Sequence, residues 1–227
     1  MKFFRTGLLT LLAALSGAVS IAAFLYGPWL LAAVAKALTT ILIIACAWRG
    51  RIGDAYGRAI LVGLLASLAG DIFLLWPQRG FEPGLFAFLV AHLAYLHAFT
   101  NGFRRGFAPA PAAAYALFAG VMLAFLWNKI PDALRLPVAV YVIGLVAMAA
   151  AAASMAQREV PRYGAAARSA ALGAGLFVLS DLILAFDKFA GPVPLASLWI
   201  LASYWFAQWL IAASATPPRQ EPVEERT

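Results

Sequence analysis

Seven residues carry most of the chemistry this chain offers: Lys36, Asp71, His92, Tyr95, Asp181, Tyr204 and Gln208. Each stands within a long apolar stretch. A charged side chain at the centre of a bilayer costs about 3 kcal/mol or more, so ionisable residues there face a bundle interior or a water-filled cavity and mark sites. Two carboxyls, an ammonium, an imidazole, two phenols and an amide are groups suited to proton transfer and to holding phosphates and hydroxyls. Their spacing suits helices. His92 and Tyr95 are three apart and Tyr204 and Gln208 four apart, so each pair shares a helix face, and Lys36 shares one with Thr39 and Thr40.

Composition dictates the elements that must position these groups. Of 227 residues, 64% are hydrophobic and 12% charged, against about 25% charged in a soluble domain, which excludes a water-soluble globule. Apolar segments run over 7–25, 28–47, 58–76, 84–101, 110–127, 134–156, 168–187 and 194–214. Breakers separate them, among them Tyr26-Gly27-Pro28, Trp76-Pro77, Glu82-Pro83-Gly84, Asn128 to Pro137 and Gly191-Pro192. Each segment approaches the ~20 residues of a spanning helix, and in hydrocarbon backbone amides find partners only within the helix itself. The expectation is an all-α integral membrane protein, an eight-transmembrane-helix bundle forming one domain over 1–215, followed by a short polar, disordered tail over 216–227.

The cations orient the spans. With the N-terminus cytoplasmic, twelve of the seventeen Lys and Arg fall in inside segments and four, Arg79, Lys129, Arg135 and Lys188, outside, leaving Lys36 within a span. That bias puts both termini on the cytoplasmic side of the cell membrane and explains the net charge of +7 without a nucleic-acid partner. Lys2 and Arg5 before an apolar run containing Ala18-Val19-Ser20 also read as a signal peptide, but the run reaches Leu25, beyond the usual signal core, so span one is expected to be retained. Trp29, Trp76, Trp127 and Trp199 lie near span ends as interfacial anchors.

Several chemistries are excluded. Cys46, the single cysteine, rules out disulfides and cysteine metal clusters. Zinc lacks a third good nitrogen or sulfur ligand. His92 and His97 lie on one helix about 140° apart, unlike the ligands of a bis-histidine haem. There is no phosphate loop and no G-x-S-x-G motif. No cofactor or metal is expected.

Height within the membrane tests whether the polar residues meet. At about 1.5 Å per residue, Asp71 lies about 8 Å and Asp181 about 9 Å below the outer span ends, Lys36 and His92 about 12 Å, Tyr204 about 15 Å and Gln208 about 21 Å. Five residues from five helices thus share a band about 7 Å thick, and a common site is expected in the outer half of the bilayer. Plainer roles exist for the same groups. Lys36 and Asp71 suit a structural ion pair; Tyr95, Tyr204 and Gln208 suit interhelical hydrogen bonding; Gly63, Ser67, Ala66 and Gly70 suit close helix packing.

Leu68-Ala69-Gly70-Asp71-Ile72-Phe73-Leu74 is echoed 110 residues and four spans later by Val178-Leu179-Ser180-Asp181-Leu182-Ile183-Leu184. Such an echo suggests parallel four-helix repeats that bring two carboxylates toward one interface, although Lys36 and His92 have no counterparts at that offset. Five segments resemble the YhhN family of eight-helix membrane proteins: Lys36-Ala37-Leu38-Thr39-Thr40, Gly70-Asp71-Ile72-Phe73-Leu74, Ala91-His92-Leu93-Ala94-Tyr95, Ser180-Asp181-Leu182-Ile183-Leu184-Ala185 and Tyr204-Trp205-Phe206-Ala207-Gln208. The family usually has proline where Ala37 stands. The resemblance implies a lysoplasmalogenase, an ether hydrolase that cleaves the vinyl ether of a lysophospholipid to a fatty aldehyde and glycerophosphoethanolamine or glycerophosphocholine.

That reaction begins with proton transfer to an alkene carbon, giving an oxocarbenium ion that water captures. A carboxylic acid in a dry cavity keeps its proton and acts as general acid, while a second carboxylate stabilises the cation and deprotonates the water, as in glycoside hydrolysis. Asp71 and Asp181 are expected to be this pair. Lys36 is placed to bind the lipid phosphate or to hold one aspartate ionised, and His92, Tyr95, Tyr204 and Gln208 to orient water and glycerol hydroxyls. The alternative is a small-solute or proton-coupled transporter, which midplane charges and repeats suit equally.

Overall fold

A computed structural model describes residues 2–48, 53–76, 78–102, 104–158 and 164–215, with the side chains of 2–6 left aside. The expected tail over 216–227 lies outside the described residues. Eight helices follow in order: α1 Lys2–Tyr26, α2 Trp29–Trp48, α3 Ala55–Phe73, α4 Phe81–Phe99, α5 Pro109–Leu126, α6 Asp132–Arg158, α7 Gly164–Phe189 and α8 Ala196–Ser214, with a 3₁₀ turn Trp127–Lys129 after α5. All eight are long and apolar enough to cross a membrane.

Helix ends respond to local chemistry that hydropathy misses. Asp54 caps α3, its Oδ1 accepting from the Gly57 amide at 2.7 Å, so α3 spans 55–73 where 58–76 was expected. Asp71 therefore stands two residues from the end of its helix, shallower than the expected depth. The break expected over Asn128 to Pro137 is shorter than its sequence suggests, because α6 begins at Asp132 and includes Pro137. Proline there, at the sixth position of the helix, leaves the Ala133 carbonyl without its backbone donor close to the helix start.

Sequence neighbours form the tightest hairpins, α1 with α2, α3 with α4 and α7 with α8. Further contacts join α2 to α3 and α6 to α7, while α4 packs on α6 and α8 packs on α2. With α5 on α6, adding four to each helix number relates these pairs, while the contacts of α8 with α1 and with α3 have no such counterpart. The two halves therefore repeat in part of their packing. Small residues make the α3–α4 contact: a Cβ at Gly63 would fall into the Tyr95 ring and one at Gly70 against the Phe88 ring. Ser16 and Ser20 of α1 donate to the Ala35 and Ala32 carbonyls of α2, and Gly17 meets the Trp205 ring of α8, so α1 is part of the bundle. Helix α5 stands apart, with only Pro111 and Leu126 buried.

Candidate active site

Each aspartate is met by the helix before it and by the last helix of the opposite half. Asp71 on α3 receives the Lys36 ammonium of α2, Nζ to Oδ1 3.4 Å. Its Oδ2 accepts from Thr40 Oγ1 at 2.7 Å and from the Tyr204 hydroxyl of α8 at 2.8 Å. Trp205 Nε1 donates to Thr40 Oγ1 at 3.2 Å, extending the chain. Lys36 and Thr40 are one helical turn apart and so aim at one carboxylate. Thr39, expected on the same face, turns back to the Ala35 carbonyl of its own helix. Asp71 is 2% exposed, so its contacts replace water entirely.

Asp181 on α7 has the corresponding surroundings. The Tyr141 hydroxyl of α6 donates to Asp181 Oδ2 at 2.6 Å. His92 of α4 lies with Nε2 3.0 Å from the Tyr141 oxygen and 3.7 Å from Asp181 Oδ2. Because Tyr141 gives its proton to Asp181, its oxygen accepts from His92, which places the imidazole proton on Nε2. His92 Nδ1 then has no hydrogen-bond partner among the described residues. The Asp181 side chain keeps 14% exposure. Asp181 lines a cavity, whereas Asp71 is 2% exposed.

That cavity is a cleft among α4, α5, α6 and α7, with Leu74 of the α3 end at its edge. Its walls are apolar, including Leu85, Phe88, Leu123, Val142, Leu145 and Val178, and Tyr141 and Asp181 supply polar atoms at its side. Helix α5 supplies one wall of the cleft through Phe118, Ala119, Met122 and Leu123. Lys188, two turns beyond Asp181, also lines it.

The seven expected residues are thus brought to neighbouring places, in three networks instead of one. The third is the Tyr95 hydroxyl, which donates to Gln208 Oε1 at 2.7 Å between α4 and α8. Phe177 separates the two aspartate networks, its ring centroid 4.8 Å from that of His92 and 5.4 Å from that of Tyr204. Phe88 completes the partition, edge-on to both Phe177 and Tyr204. Of the five residues expected to contact substrate, Lys36, His92, Tyr95, Tyr204 and Gln208, none lines the cleft. Lys36 pairs with Asp71, the contact expected both of a structural ion pair and of a lysine that holds one aspartate ionised.

Tyr141 is the residue that sequence reasoning missed. Its signal was present, since nine residues into α6 it falls about 14 Å from the helix start, within the heights of the other polar groups. It is also the counterpart of Lys36 and Thr40, and His92 the counterpart of Tyr204. A fixed offset of 110 conceals this correspondence because the helices differ in length. Among the described residues no three His, Cys, Asp or Glu side chains group as metal ligands.

Comparison with known proteins adds a lineage to this geometry. The chain is 36% identical to the lysoplasmalogenase TMEM86A of Bos taurus, over 84% of this chain and 81% of that protein. It is 36% identical to the lysoplasmalogenase TMEM86B of Homo sapiens, over 81% and 75%, and 31% identical to the membrane protein YhhN of Escherichia coli O157:H7, over 74% and 79%. No solved structure matches it. The model of the YhhN family matches residues 31–215. Because that match takes in α2 to α8, and with them every helix that supplies the aspartate networks, the chain belongs to the YhhN family.

Proposed function

We propose that this multi-pass membrane protein hydrolyses the vinyl-ether bond of lysoplasmalogens, releasing a fatty aldehyde and a glycerophospho-ethanolamine or -choline. The observation that carries this reading is Asp181, a carboxyl on the wall of an apolar cleft at membrane depth, braced by Tyr141 and His92. Relatives named lysoplasmalogenase over most of both chains support the substrate class. Both termini on the cytoplasmic face of the cell membrane follow from the distribution of cations.

In the proposed mechanism Asp181 enters protonated on its cleft-facing oxygen. It transfers that proton to the alkene carbon one bond removed from the ether carbon, and the resulting oxocarbenium ion lies beside the new carboxylate. Water adds to the cationic carbon and returns a proton to Asp181. The hemiacetal then collapses to aldehyde and a free glycerol hydroxyl, which closes the proton balance. Tyr141 holds Asp181 Oδ2 throughout, and His92 holds Tyr141. Asp71 is the second carboxylate, fixed by Lys36, Thr40 and Tyr204, whose negative charge favours the cation through a medium of low dielectric constant. Tyr95 and Gln208 tie α4 to α8 and so keep the two networks in register.

The test is aldehyde release by the purified protein from a lysoplasmalogen, against the acyl lysophospholipid of equal chain length as a control. Aldehyde from the first substrate alone, lost in Asp181→Asn, supports the reading. A transporter leaves the bond intact, so absence of aldehyde in a folded, wild-type preparation overturns it.

A further inference from the structure

Cations are scarce on the end of the bundle opposite the chain termini, and three of those described stand over aromatic rings. Lys188 closes α7 and stacks on the Phe81 ring, Nζ 4.9 Å from its centroid. Lys129 stands over Phe125 at 4.8 Å, and Arg135 over Trp127 at 5.5 Å while pairing with Asp132 at 2.7 Å. Phe125 in turn stacks on Phe186 of α7. Of these residues Lys188 and Phe81 line the apolar cleft that contains Asp181. Aromatic contact fixes each cation at the boundary between apolar wall and water.

We propose that the cleft holds the hydrocarbon chain of a lysophospholipid whose phosphate rests on Lys188. This rests on the hydrolase reading and adds to it the placement of the lipid. Lys188 follows Asp181 by seven residues, which on a helix returns to the same face about 10 Å further along the axis. In a lysoplasmalogen seven bonds separate the alkene carbon that takes the proton from the phosphorus atom. At roughly 1.2 Å of reach per bond in an extended chain, that is about 8 Å, and the lysine side chain spans the remainder. A lipid seated this way keeps its phosphate at the membrane surface and its chain in hydrocarbon, the orientation it has in a leaflet. Lys36 fits the phosphate role poorly, because it is buried against Asp71.

Binding is measured with a non-hydrolysable probe, a 1-O-alkyl lysophosphocholine, against the 1-O-alkylglycerol of the same chain, which has no phosphate. The exposed Lys188 changed to Ala is expected to weaken the lysophosphocholine about tenfold, the worth of one hydrogen bond to a charged group. The alkylglycerol keeps its affinity, and Lys188→Arg restores the phospholipid. Ala119→Trp, on the α5 wall of the cleft, weakens both ligands by obstructing the chain. Equal phospholipid affinity in wild type and Lys188→Ala, or equal losses for both ligands in that variant, overturns the proposal. Parallel aldehyde assays on the alkenyl analogue separate the two ideas: phosphate-dependent binding without turnover sinks the hydrolase and retains the binding site.

Discussion

The Tyr141 hydroxyl donates to Asp181 Oδ2 at 2.6 Å and at the same time lies 3.0 Å from His92 Nε2. The phenol therefore determines which carboxyl oxygen is occupied and which is left for the cleft. Tyr204 stands to Asp71 in the same relation at 2.8 Å in the other half of the bundle, but there the carboxylate is sealed. One arrangement, used twice, has produced one open carboxyl and one closed.

Asp181→Asn removes the transferable proton with almost no change in shape. Turnover of lysoplasmalogen is expected to fall about a thousandfold, the worth of a general acid, while the thermal unfolding midpoint in detergent stays within a few degrees. Tyr141→Phe leaves the carboxyl but frees it to rotate, and kcat is expected to fall about tenfold to a hundredfold, as for one lost hydrogen bond to a charged group. Single-turnover aldehyde assays read both.

Lys36 and Asp71 form a buried ion pair whose part in stability is separable from the charge that Asp71 contributes to the reaction. Either Lys36→Met or Asp71→Asn leaves one buried charge unpaired and is expected to cost about 3–5 kcal/mol. The double variant removes both charges, keeps an acceptor for Thr40 and Tyr204, and is expected to regain most of that loss. Aldehyde assays on the stable double variant report the charge of Asp71 separately from its packing; low activity is the expected result.

Gly63 is fixed by the ring of Tyr95 and not by backbone conformation. Gly63→Ala forces α3 and α4 apart, and a loss of about 1–3 kcal/mol is expected from overpacking. Gly120 on α5 meets nothing within 4 Å, so Gly120→Ala is expected to be neutral or slightly stabilising. Chemical unfolding of both variants in one detergent makes the comparison.

Tyr95→Phe strips Gln208 Oε1 of its donor in a fully buried place and is expected to cost about 1–3 kcal/mol. Adding Gln208→Leu removes the stranded amide, so the double variant is expected to be the more stable of the two. A double variant less stable than Tyr95→Phe would show that Gln208 has a role beyond that bond.

Periodicity and composition alone determine that this chain forms eight apolar helices. Hydrocarbon offers the backbone no other partner, and each apolar run is long enough to span. The resemblance of five short segments determines the family, and the rarity of ionisable groups in the spans marks Lys36, Asp71 and Asp181 as residues to watch. Helix ends were less legible, because Asp54 starts α3 through a side-chain hydrogen bond that hydropathy does not register. Only tertiary structure decides that Asp71 pairs with Lys36 while Asp181 pairs with Tyr141 and His92, since partners on different helices are chosen by packing and not by spacing. Packing likewise inserts Phe177 between the two networks and sets an apolar cleft against Asp181. Two carboxyls that look equivalent along the chain become different in three dimensions because each is met by side chains from two other helices, α2 and α8 for Asp71 and α6 and α4 for Asp181.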